Sequence, residues 1–152
     1  RISSLVDVAD LSLLPFDEAK AGIKKALNAK DPWARYWGLI VCSSFMEEAK
    51  VYVEKARKMA ATDPENMVRV RAAEFLGLIK EEDPEAVLVE ILANASNEVE
   101  ATLTLNSVVL LKDACGYEFN IDPEIFPAEW RAEERSQVNR RLGYLDPDYT
   151  NN

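Results

Sequence analysis

The sequence predicts an all-α chain of stacked helix pairs, and three observations carry that reading. Asp-Pro helix-start signals recur along the chain, an apolar face of 3.6-residue period is drawn three times, and the copies are spaced by 34 and then 31 residues. Asp accepts a bond from an exposed amide at the helix start, and Pro fits the first helical position, where its missing N–H costs nothing. "DPWARYWGL", "DPENMVRV" and "DPEAVLVE" therefore each announce a helix.

The elements follow in order. The opening "RISSLVDVADLSLLPF", residues 1–16, is read as an N-terminal cap, a strand or a linker. Sliding the sequence by 34 residues places Ala34, Gly38, Val41, Cys42 and Phe45 on Val68, Ala72, Phe75, Leu76 and Ile79, and a further 31 places these on Val99, Leu103, Asn106, Ser107 and Leu110. The intervening segments align at the same shifts, with Ala19, Gly22 and Ala26 on Val53, Ala56 and Ala60, then on Pro84, Val87 and Ile91. The expected pairs are 17–29 with 32–46, 47–61 with 65–79, and 84–94 with 97–113. None of these pairs can bury its own stripe, so three would stack into a short right-handed solenoid over 17–113. In 114–152 an irregular crossing leads to a final helix at about 127–142, whose Trp130, Val138, Leu142 and Leu145 are expected to cap the last pair. The whole of 1–152 is read as a single domain.

Composition bounds the function. At 152 residues and 48% apolar, the chain is long and apolar enough for one ordinary core. Its 27 acidic and 18 basic residues give a net charge of −9, which opposes binding to phosphate backbones, so no nucleic acid is expected as partner. There is no histidine, which removes the commonest general base and metal ligand together. Cys42 and Cys115 stand alone, without metal or redox spacing, and Cys42 falls on the core stripe as an inert thiol. No catalytic residue, metal ligand or cofactor is assigned. No apolar run is long enough for a membrane span, and Asp7 and Asp10 disqualify the opening stretch as a signal-peptide core. A start at Arg1 rather than Met fits a piece of a longer protein.

The arginines raise the functional question. "D-P-x-x-x-V-R-x-x-A-A-x-x-L-G", Asp63 to Gly77, resembles the signature of HEAT repeats, in which an Asp near the start of the second helix pairs with an Arg about a turn later. On that reading Asp63 pairs with Arg69, and the first copy offers Asp31 with Arg35, whereas the third has Asn97 and Glu100 and cannot continue the pairing. The alternative is that Arg35, Arg69 and Arg71, with Trp37, line a concave groove and hold an anionic ligand or acidic peptide. Trp33, Tyr36 and Trp37 form an aromatic group that either packs between helices or offers a platform for a sugar ring or a neighbouring domain. "KEEDPEAVLVE" lacks the loop and glycine bend of a calcium site, and its acids are read as helix-start charges. Glu129, Glu133 and Glu134, interleaved with Arg131, Arg135, Arg140 and Arg141, read as a solvated salt-bridged face.

"DPWARYWGLIV", "VRVRAAEFLGLI" and "VEATLTLNSVVLLKDACG" in this order resemble the C-terminal HEAT-like region of bacterial sulfatases of the heparan N-sulfatase or arylsulfatase type. The matching residues are Arg35, Tyr36, Trp37, Arg71, Ala72, Ala73, Leu105 and Asn106, over about 30–115. The resemblance implies a non-catalytic accessory domain that packs on or extends its own catalytic domain, in a periplasmic or secreted protein, with the positioning of a sulfated glycan or a partner as a further role. The catalytic C/S-x-P-x-R signature of that family is not here: Cys42 is followed by "SSFM" and Cys115 by "GYEF". The alternative is a free-standing scaffold that binds a peptide or protein in its groove. Enzymes built on helical repeats, such as a DNA glycosylase or a chromophore lyase, fit the acidic balance and the residues less well.

Overall fold

A computed structural model describes residues 2–132 and 137–149, and every regular element among them is helical. They are α1 (Ile2–Asp10), α2 (Phe16–Leu27), α3 (Pro32–Phe45), α4 (Val53–Thr62), α5 (Asn66–Leu78), α6 (Glu85–Ala93), α7 (Glu98–Cys115), α8 (Ala128–Ala132) and α9 (Gln137–Leu145), with short 3₁₀ turns at Leu11–Leu13, Met46–Tyr52 and Pro123–Ile125. The chain divides into two compact units, residues 1–83 and 84–152, at the boundary between the second and third expected pairs.

In the first unit α2 packs on α3, α4 on α5, and α3 on α5. The face expected on α5 is buried in full at Val68, Ala72, Phe75, Leu76 and Ile79, and the copy on α3 buries Gly38, Val41 and Cys42. Gly38 permits close packing: a Cβ there would come within 3.1 Å of both Ala26 Cβ and Leu27 Cδ2. The opening residues form neither a strand nor a linker, because α1 is amphipathic and lies against α3 as a cap. The expected helix at 47–61 begins later, since Met46 leaves α3 at φ 54° and the chain runs through a 3₁₀ turn to Tyr52.

In the second unit α6 packs on α7, and α9 covers α7 with Val138 and Leu142 buried. The third copy of the apolar face lies in a different register from the expected one. Ala101, Thr104, Leu105, Val108 and Leu111 are buried, while Val99 is 68% exposed and Leu110 42%. Of the expected positions Ser107 is buried, and shifting from Val68 by 33 residues instead of 31 adds Ala101, Leu105 and Val108, with Val109 and Lys112 half-buried. A slide of two positions turns a helix by roughly 200°, which carries Val99 and Leu110 outward. α7 closes on Gly116, left-handed at φ 74°, whose N–H donates to Lys112.

Candidate functional site

Asp31 caps α3, accepting from the Trp33 N–H at 2.9 Å. It is not the partner of Arg35. The Arg35 guanidinium reaches Asp63 at the foot of α5, with Nε on one carboxylate oxygen at 2.9 Å and Nη2 on the other at 3.1 Å. Nη1 donates to the Ala29 and Lys30 carbonyls, both at 3.0 Å. Both charged side chains are largely buried, at 13% and 5% exposure. The expected pairing of Asp63 with Arg69 is therefore corrected. Asp63 joins α5 to the preceding second helix and also accepts from the Glu65 N–H, while Arg69 donates Nε to the Ala60 carbonyl at 2.8 Å.

Arg71 is also turned onto the chain. Its guanidinium lies over the Tyr36 ring at 5.1 Å, donates to the Tyr36 hydroxyl at 3.0 Å, and pairs with the buried Glu74 at 2.9 Å. Burial works against its charge, but Glu74 and Tyr36 outweigh that and hold the guanidinium above its ordinary range. The three arginines considered for an anionic groove are thus engaged by internal carboxylates, carbonyls and a phenol, although the buried Arg71 Nε has no hydrogen-bond partner. The structure does not bring them together with Trp37 as a cationic lining.

What remains open is the aromatic group. Trp33, Tyr36 and Trp37 step along α3 with edge-on ring contacts of 5.5 and 5.8 Å between centroids. Trp33 is 47% exposed and stands beside a groove of about 240 Å³ between the starts of α3 and α5, bordered by Pro32, Trp33, Tyr36, Glu65, Met67 and Val68. Trp37 does not border it. Sequence reasoning missed Glu65 and Met67, although the signal was present: the 34-residue shift places Asp31 on Glu65 and Trp33 on Met67, so two matched helix starts form the two walls.

The other candidates resolve locally. Glu81 and Glu82 of the acidic run pair with Arg57, and Lys50 joins Glu81. Among the described residues, no group of acidic and cysteine side chains could hold a metal ion, and no helix is long and apolar enough to cross a membrane. Cys42 is fully buried, and desolvation pushes its thiol up to about 12. Of the expected C-terminal charge network, Glu133, Glu134 and Arg135 lie outside the described residues. Arg131 ties back to Glu124 at 2.8 Å and to the Phe126 carbonyl at 3.0 Å.

Comparison with family models, curated proteins and solved structures finds no match for this chain.

Proposed function

We propose that the chain is a non-catalytic interaction module, built from HEAT-like helix pairs, that holds a peptide or protein partner against the Trp33 groove. One observation carries this reading: an exposed tryptophan stands on a regular helix beside an apolar groove, while every nearby arginine is committed to the fold. Large aromatic side chains held on rigid elements are the usual energetic anchors of protein interfaces. The HEAT-like assignment is supported by the repeated helix pairs and by the Arg35–Asp63 bond, which joins the second helices of successive pairs.

The test is a photo-crosslinker placed at position 33 or, as a control, at Val51, which is 72% exposed. The reading predicts a discrete adduct from source-cell extract at 33 and none at 51. Equal labelling at both sites, or none at either, contradicts it.

The segments "DPWARYWGLIV" and "VRVRAAEFLGLI" favour one further proposal, that the module belongs to a larger sulfatase and packs on its catalytic domain. Upstream coding sequence with an in-frame C/S-x-P-x-R signature supports that proposal, and a start codon shortly before Arg1 removes it. A sulfated glycan is disfavoured in the Trp33 groove, because Glu65 is the one charged residue among the described residues that border it and would repel sulfate.

A further inference from the structure

The Trp33 groove contains aromatic walls and one carboxylate with no cation. Glu65 is exposed, and its described bonds are those of its backbone: the N–H donates to Asp63 and the carbonyl accepts from the Val68 and Arg69 N–H groups. The rings of Trp33 and Tyr36 meet at 76°, forming a corner, and Pro32 and Met67 supply the remaining apolar lining. Next to it the chain already contains the filled version of this arrangement, in which Arg71 lies over an aromatic ring and pairs with the carboxylate of Glu74. The partial positive charge at the starts of α3 and α5 does not oppose a cation strongly, because the Asp31 and Asp63 carboxylates accept from the first free amides of both segments.

Resting on the reading that this groove is the recognition surface, we propose that it takes an arginine side chain of the partner polypeptide, with the guanidinium stacked on Trp33 and paired with Glu65. Arginine fits both walls: its planar face stacks on an aromatic ring while its edge presents paired N–H donors to a carboxylate, a combination that the compact ammonium of lysine does not offer. The unit that bears the groove is close to neutral, with 13 basic and 14 acidic residues, so the attraction rests on Glu65 itself.

The experiment is a titration of the ¹⁵N-labelled full chain with two capped tripeptides, Gly-Arg-Gly and Gly-citrulline-Gly, at matched ionic strength. Citrulline keeps the shape of arginine and removes the charge. The Trp33 indole resonance, assigned with Trp33→Phe, is followed. The arginine peptide is expected to move it saturably, with affinity about tenfold above that of the citrulline peptide. Glu65→Gln is expected to erase that difference; Glu65 is exposed, so the variant should keep the parent spectrum elsewhere. Equal binding of the two peptides overturns the arginine proposal while leaving the groove as a recognition surface. No movement of the Trp33 resonance with either peptide also overturns it, and the crosslink at position 33 then decides the broader reading separately.

Discussion

The two units begin their second helices differently. In residues 1–83 the helix start at Asp63 is tied to Arg35 of the preceding pair by a largely buried two-point ion pair. In residues 84–152 the corresponding start shows a local cap: Asn97 accepts from the Glu100 N–H, and Glu100 accepts from the Ser96 N–H. Charge follows the same division, with 13 basic and 14 acidic residues in the first unit but 5 and 13 in the second. All three starts have a local side-chain acceptor, Asp31, Asp63 and Asn97, and the Asp63 carboxylate in addition holds an arginine of the preceding pair in a partly dry site.

The sharpest way to break this comparison is to remove the accepting side chain from each start. Asp63→Ala leaves the Arg35 guanidinium buried without its counter-ion and is expected to cost about 3–5 kcal/mol. Asn97→Ala loses a cap alone and is expected to cost about 1 kcal/mol. Urea denaturation of both variants checks the ratio.

A second difference is titratable. Cys42 in the first unit stays protonated in the fold up to about pH 12, whereas an unfolded thiol ionises near its ordinary value of 9.0. Above that value the unfolded state holds fewer protons than the native state, so stability falls as pH rises, by up to about 1.4 kcal/mol per unit for this one group. Tyr52, raised first by burial and then by Cys42, adds a decline of the same sign. Denaturation at pH 8 to 11 should show a falling limb that is shallower in Cys42→Ala, whatever that variant loses at neutral pH through its cavity.

Smaller effects separate the helix ends. α5 is followed by Lys80 in the left-handed region at φ 57°, and α7 by Gly116 at φ 74°. Lys80→Gly is expected to stabilise by about 0.5–1 kcal/mol. Gly116→Ala is expected to destabilise by about 1–2 kcal/mol through backbone strain alone, since an added Cβ meets nothing within 4 Å. Thermal melts report both. Least of all, Trp33→Ala should change stability by under about 0.5 kcal/mol, as expected of a side chain held for a partner.

Much of the fold was legible because both of its signals are local. Asp-Pro pairs stand within three residues of the starts of α3, α5 and α6, although only Asp31 of these caps its helix, and Val68, Ala72, Phe75, Leu76 and Ile79 form a stripe that buries as read. The third copy was misplaced because Val99, Leu103 and Leu110 make an equally apolar stripe, and only packing against α6 and α9 selects the face carrying Ala101, Leu105 and Val108. The partner of Asp63 was misread for a related reason. Arg35 and Arg69 are interchangeable in the pattern, and only the packing of α3 on α5 brings Arg35 within 2.9 Å. Glu65 and Met67 are marked in the sequence only by their repeat positions opposite Asp31 and Trp33, and become a site when the two helix starts are set side by side.

The central claim is that these arginines act on their own chain. A double-mutant cycle of Arg35→Ala and Asp63→Ala, followed by urea denaturation, tests it most directly. The account predicts a coupling energy of about 2 kcal/mol or more, as for a desolvated two-point pair; a coupling below about 0.5 kcal/mol, the range of exposed ion pairs, would contradict it.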